Sequence, residues 1–430
     1  MSNQISTLRM EQKFKKTPAG EIPVDWEAKQ LGKVGIATDG DWILNKDYSK
    51  SGVRLLQIAD IGVGKFLNKS MRFISEESAN KLNCSILQPG DILISRMPDP
   101  IGRACQLPEL NYQSITAVDV TIWRPDPDKY DRRFLTYYLN SSKWFALVNN
   151  YSSGTTRTRI SRTNLENIEI PIPPLKEQRL IAKILSAVDD AIDKTDAVIE
   201  KTKELKKGLM QILFTKGIQK GRLKTQDFKE TEIGRIPKDW EIRNIKSLAK
   251  KIINGGTPDT NTEKYWHGNI PWITGADFSD QKVTNIRRHI TKEAVANSNT
   301  NVVPQGTILV VTRTGVGKLA MASYDIAISQ DITGIISNDE LVIPRFLFWI
   351  LNYYVPQLKA AHQGTSINGI LRSDLEDFMI PVPTIQEQKK ITEILSTIDD
   401  EISHEEKHKH QLEQIKTALM QVLLTGKVRV

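Results

Sequence analysis

The sequence predicts an α+β protein built as an internal duplication. Two mixed α/β globular domains are joined by two long helices that pair antiparallel within the chain. Three observations predict this: a repeat at an offset of 210 residues, a long uninterrupted apolar stripe in each repeat, and short β-type runs punctuated by Gly and Pro between them.

The repeat is the firmest of these. Residues 171–215 align with residues 381–425 without a gap, with 17 identities in 45 positions. Pro171/Pro381, Pro173/Pro383, Glu177/Glu387 and Gln178/Gln388 recur, as do the Asp pairs at 189–190 and 399–400. The rest matches more loosely. "GEIPVDWE" at residues 20–27 pairs with "GRIPKDWE" at 234–241, and "RFLTYYLN" at 133–140 with "RFLFWILN" at 345–352. A drift in offset between about 210 and 217 is what loop insertions leave behind. The boundaries that follow are residues 1–170 and 219–380 for the globular domains, and 171–218 and 381–430 for the helical regions.

Prolines 171, 173 and 174 forbid a helix through their own stretch and force the residues before them into extended conformations. A helix is expected from about Leu175, with Glu177 favourably placed in its first turn. A 4-3 seam then runs through Ile181, Leu185, Val188, Ile192, Thr195, Ile199 and Thr202, weakest at the two threonines. Gly217 is placed to cap the far end. The second copy keeps Ile391, Leu395, Ile398 and Ile402 but turns polar at Glu405 and Lys409. Two such stripes most simply bury each other. A pseudo-two-fold relation between the halves makes the pair antiparallel and sets the domains at opposite ends of a rod.

Within the globular segments, "RLLQIADI", "DILISR", "VDVTIW", "TILVVTR" and "IAISQDITGII" read as strands. "RRFLTYYLNSSKWFALVNN" and "PRFLFWILNYYVPQLKAA" read as helices with an aromatic face.

Composition bounds the function. The chain has 430 residues, net charge +8 and pI near 9.1, which permits a polyanionic partner without requiring one. No apolar run reaches the roughly 20 residues of a membrane span. Two cysteines, Cys84 and Cys105, make no disulfide framework, so a reducing, cytoplasmic setting is expected.

Catalytic motifs are weak. "HEEKH" at residues 404–408 has the zinc-protease spacing but lies in a charged helix with no third ligand in evidence. "TGVGKLA" at 314–320 lacks the first Gly and the final Ser or Thr of a P-loop. Asp259, Asp280 and Lys282 loosely fit a nuclease pattern that is common by chance. No adenine-methylase motif is present. By elimination the chain reads as a binder or assembler.

The duplicated "IPxPxxxEQxxIxxILSxxDD", the helix end "LMQxLLTG" and "GxIPxDWE" near the start of each half resemble the specificity subunit of Type I restriction–modification systems. The first copy departs slightly, with Lys216 ahead of Gly217. The resemblance implies two target recognition domains, each reading half of a split duplex DNA sequence. It implies that the helices act as a ruler and bind two modification (methyltransferase) subunits, and that restriction subunits join them. It implies no cofactor on this chain, with S-adenosylmethionine, ATP and Mg on the partner subunits. A nuclease acting alone and a scaffold without DNA recognition remain the alternatives.

Base edges are read by Arg, Lys, Asn and Gln, and phosphates are held by Lys, Arg and backbone amides. The candidates in the first half are Arg96, Arg103, Arg157 and Arg159, and in the second Arg287, Arg288, Arg313, Lys318 and Asn368. Glu177, Gln178, Glu387 and Gln388 are candidates for either helix capping or partner contact.

Overall fold

The computed structural model describes residues 13–154, 158–219, 221–279, 281–313, 316–360 and 369–430. The chain divides into two compact units, and the division cuts both long helices. One unit is Met1–Asp196 with Lys407–Val430; the other is Ala197–Glu406. The helices α1 (Leu175–Lys216) and α2 (Ile385–Leu423) each contribute one half to each unit.

The first unit is built on an antiparallel sheet of β1 (Gly35–Asp39), β2 (Ile92–Ser95), β3 (Ala104–Gln106) and β4 (Val120–Pro125), in the order β1-β4-β2-β3. "ILIS" in β2 shows no polar alternation because both faces of the strand are buried. Ile92 and Ile94 pack with Trp123 and the helices, while Leu93 packs with Cys105, Val120 and Ile122 on the other side. In a second sheet Ser114–Thr116 pairs parallel with Val53–Leu56, which pairs antiparallel with Arg72–Ile74.

The second unit repeats the plan. β5 (Ala249–Asn254), β6 (Ile308–Val311), β7 (Leu319–Met321) and β8 (Ile332–Ser337) form a sheet in the order β5-β8-β6-β7. Its second sheet again contains a parallel pair, Ile270–Ile273 with Ile326–Ile328, and an antiparallel neighbour, Arg288–Ile290. The run "IAISQDITGII" is therefore two strands with a turn between them.

The first aromatic segment is two helices, Arg132–Tyr138 and Ser142–Asn150, because the Ser141 hydroxyl caps the second by accepting from the Trp144 N–H at 3.2 Å. The second aromatic segment runs unbroken as Pro344–Ala360 with Pro356 inside it.

The prolines act as the sequence suggests. Glu169–Ile172, which includes Pro171, pairs antiparallel with Glu27–Gln30 in a two-stranded ribbon, and helix follows from Leu175. The Met379–Val382 strand pairs likewise with Glu241–Asn244 before α2. At the end of α1, Gly217 takes a φ of +66° and donates its N–H to the Leu213 carbonyl at 3.1 Å. A Cβ there would lie 2.7 Å from the Trp240 ring, so the position needs glycine for space as well as for conformation.

Within each unit the two half-helices run antiparallel. In the first, Asp189 pairs with Lys416 at 2.6 Å and Asp196 with Lys409 at 2.7 Å, one residue number falling as the other rises. In the second, Asp399 pairs with Lys206 at 2.5 Å and Glu406 with Lys203 at 3.5 Å. Ile181, Leu185, Ile192, Thr195 and Ile199 are buried along the expected seam of α1. The polar seam position Lys409 is accommodated by its bond to Asp196, which raises the lysine's pKa.

Candidate nucleic-acid interface

Several of the sequence candidates turn inward. Arg96 follows β2 and is 4% exposed, and its guanidinium donates to the Val118 carbonyl and lies 3.3 Å from Asp39. Burial pushes its pKa down and the Asp39 charge opposes that. Arg103, also buried, donates to the carbonyls of Ile61 (2.7 Å), Pro100 (3.1 Å), Met97 (3.2 Å) and Ile58 (3.2 Å). Both were expected at groove edges, and both instead brace the loop between β2 and β3 from inside. Arg103 spends its donors on four backbone carbonyls and Arg96 gives one to the Val118 carbonyl, so both are held inside the fold and not at an exposed edge.

The four helix-start residues are corrected in the same way. Glu177 accepts from the Trp26 indole N–H at 3.0 Å and from Arg429, whose Nε is 2.6 Å away; Arg429 also grips Asp25. Glu387 accepts from the Trp240 indole at 3.0 Å, from Lys224 at 2.9 Å and from the Ile218 N–H at 2.6 Å; Lys224 also grips Asp239. Gln178 receives the Asp131 N–H at 2.9 Å and Gln388 the Ile343 N–H at 2.8 Å. All four side chains are buried, so they fasten each helix start to its own globular part and present nothing to a partner. The duplicated "DWE" holds the signal for this lock, since it repeats the Asp and Trp that the lock uses.

Other candidates stay near the surface. Arg159 pairs with Asp119 at 2.9 Å and keeps 42% of its side chain exposed. Arg287 donates to Asp277 at 2.6 Å and to the Thr274 hydroxyl at 2.9 Å. Burial works against the charged form of Asp277, but Arg287 and Thr274 outweigh it and leave its carboxyl below the usual range. The Arg288 guanidinium lies over Trp266, 5.3 Å from the ring centre. Arg313 is exposed; Lys318 donates to the Gly275 and Phe278 carbonyls at 3.2 and 3.3 Å. Arg157 and Asn368 lie outside the described residues, as does Asp280. Asp259 accepts from the Asn261 N–H at 3.0 Å and the Thr262 hydroxyl at 2.9 Å, a local turn.

A cleft of about 490 Å³ in the first unit, unmarked in the sequence, is walled by Trp42, Leu44, Gln57, Met97, Asp119 and Arg159. Most of these are neutral residues scattered over the chain, so no run of charge marks them. In the second unit a larger cleft, about 1150 Å³, lies between α1 and the Pro344–Ala360 helix. Its lining mixes charge, with Lys203 and Lys206 paired to Glu406 and Asp399 and with Lys207 and Arg345 beside them, and Lys206 sits 4.0 Å from the Trp349 ring centre. Among the described residues no group of three or more His, Cys, Asp or Glu is arranged to hold a metal, and no helix is long and apolar enough to cross a membrane.

Comparison with known proteins places this architecture. The family described as "Type I restriction modification DNA specificity domain" matches twice, at residues 23–204 and 237–414. A Methanocaldococcus jannaschii protein provisionally named the type I restriction enzyme MjaX specificity subunit is 31% identical over 98% of this chain and 97% of its own length. The MjaVIII specificity subunit of the same organism is 27% identical over the same shares. The Escherichia coli EcoR124I/EcoR124II specificity subunit is 30% identical over 64% of this chain and 65% of its own. Among solved structures, a chain from a study of assembly and conformational transition of the type I R-M system superposes with a TM-score of 0.59 at 18% identity, covering 95% of this chain and 99% of that one. The S subunit from M. genitalium gives 0.55 at 14% identity, covering 93% and 96%. With two copies of the family's domain spanning most of its length, the chain belongs to the Type I restriction–modification DNA specificity family, whose members are noncatalytic DNA-recognition subunits.

Proposed function

We propose that each globular domain, residues 1–170 and 219–380, reads one half of a bipartite, asymmetric duplex DNA target. The helical regions 171–218 and 381–430 hold the half-sites in register, of order one helical turn apart centre to centre. Two modification subunits, carrying S-adenosylmethionine, dock on the helices and methylate adenine. Restriction subunits that use ATP and Mg join them, in the cytoplasm. The observation that carries this reading is one framework built twice with unlike surface residues, which suits two unlike half-sites. Among the described candidates Arg287, Arg288, Arg313 and Lys318 are exposed and Arg159 is half-exposed, and these are the ones placed to touch DNA; Arg157 and Asn368 stand with them as loop candidates.

Partner docking is supported by apolar side chains that the helices leave outside their seam. Leu205 in the second unit is 56% exposed and Ile415 in the first is 49% exposed. The deciding experiment maps methylated adenines in the host genome with and without this gene. One bipartite motif should lose methylation on deletion. No motif lost would overturn the reading, and magnesium-dependent cutting by the purified chain would favour a nuclease instead.

A further inference from the structure

The positions of Trp42, Gln57 and Met97 in the wall of the first unit's cleft have counterparts in the second unit that hydrogen bonds identify one by one. The Gly40 N–H donates to the Val120 carbonyl at 2.9 Å, and the Gly255 N–H to Ile332 at 3.1 Å. Asp41 N–H then donates to Thr116, and Gly256 N–H to Ile328. A Cβ on either Gly40 or Gly255 would lie 2.2 Å from a carbonyl oxygen of the neighbouring segment, so the backbone passes equally close in both. These bonds equate Trp42 with Thr257.

The Gln57 N–H donates to the Asp60 carboxylate at 2.8 Å and the Thr274 N–H to Asp277 at 2.7 Å, each opening a short 3-10 turn. That equates Gln57 with Thr274. The Arg96 N–H donates to the Asp119 carbonyl at 2.9 Å and the Thr312 N–H to Asp331 at 2.8 Å, which equates Met97 with Arg313. The framework atoms coincide in role while the side chains at the rim differ in size, polarity and charge.

The rim of the first unit has the means to read bases. Trp42 is 69% exposed, whereas the other seven tryptophans are buried or half-buried. An exposed indole beside a cleft offers a flat apolar surface for a base or a thymine methyl. Gln57 carries the donor–acceptor pair that matches adenine, and Arg159, oriented by Asp119, lies in the same wall. In the second unit Thr257 hydrogen-bonds Gln330, Thr274 is engaged by Arg287, and Arg313 is exposed, a more polar and more basic set.

We propose that three equivalent rim positions select the bases of each half-site: Trp42, Gln57 and Met97 in the first unit, and Thr257, Thr274 and Arg313 in the second. The proposal rests on the DNA-reading function above and names where within each unit the discrimination lies. Two halves of one chain share the backbone cradle, so the half-sites differ through what these positions present.

The test uses the full chain assembled with its modification subunits, binding duplex libraries in which one half-site is randomised and the other held. Trp42→Ala and Gln57→Ala should each flatten base preference at one or two positions of the first half-site by about tenfold. The second half-site should be unchanged, and so should the salt slope. Arg313→Met should do the converse, flattening the second half-site alone. Trp42→Phe should restore most of what Trp42→Ala loses, and its melting point tells a folding defect from a reading defect. Uniform weakening on all sequences with a shallower salt slope would make these phosphate contacts and overturn the proposal, as would unchanged preference. If the wild-type complex itself shows no bipartite preference, the DNA-reading function fails first, and the wild-type measurement alone reveals that.

Discussion

At the scale of single residues, a buried glutamate at the helix start ties each unit together. Glu387 is 6% exposed and has an indole N–H, an amide N–H and an ammonium aimed at it. Removing Glu387 leaves two buried donors, the Ile218 N–H and the Trp240 indole, unpaired at about 1–3 kcal/mol each, and leaves Lys224 with Asp239 alone. Glu387→Ala should therefore lower stability by about 3 kcal/mol, with amide-exchange protection lost around Trp240 and retained around Trp26. Glu387→Gln should cost less, because the amide oxygen still accepts from Trp240. Equal loss around both tryptophans would contradict the separate locks. The sequence showed that Glu177 and Glu387 recur but not which way they face. Arg96 and Arg103 were misread for the same reason: a charged residue in a Gly- and Pro-rich loop looks solvent-facing until the carbonyls that surround it are known. Trp42 was missed because one tryptophan among eight carries no mark of exposure in the sequence.

At the scale of elements, the long helices were the most legible part. An apolar residue every three or four positions over 42 residues has few readings other than a buried helical seam. Five of the seven seam positions are buried, Thr195 among them despite its hydroxyl, while Val188 and Thr202 are half-buried. The pairing that tolerates Lys409 was not legible, because Asp196 stands more than 200 residues earlier and no local pattern links the two. The strands were visible as apolar runs, but the parallel pair in each second sheet was not, since runs carry no pairing information. Leu395 is fully buried against Met210, Leu213 and Phe214. Leu395→Ala should cost about 2–5 kcal/mol, whereas Leu205→Ala, at a position 56% exposed, should change stability by less than about 0.5 kcal/mol. Leu205→Ala is then the better probe of partner docking: weaker retention of the modification subunit with unchanged melting would place the contact there, and unchanged retention would exclude it.

At the scale of the whole molecule, the duplication was legible from the repeated blocks, but the grouping of residues into units was not. The blocks suggest four consecutive segments; the packing instead joins the last 24 residues, Lys407–Val430, to the first unit. Arg429 reaches Asp25 and Glu177 across separations of 404 and 252 residues. Deleting residues 427–430 should loosen the first unit alone: exchange protection near Trp26 falls, discrimination at the first half-site weakens, and the second half-site is read as before. Loss at both half-sites would mean that the tail serves something other than this lock.

The same tail sets an order of assembly. The second unit is continuous in the chain, from Ala197 to Glu406, and can close as soon as its last residue leaves the ribosome. The first unit begins earlier but waits for Arg429, which is made after the whole of the second unit. Synthesis and completion therefore run in opposite orders, against the usual habit of N-terminal domains finishing first. A nascent chain stopped between Glu406 and Arg429 would carry one finished unit and one with Glu177 still lacking its cation.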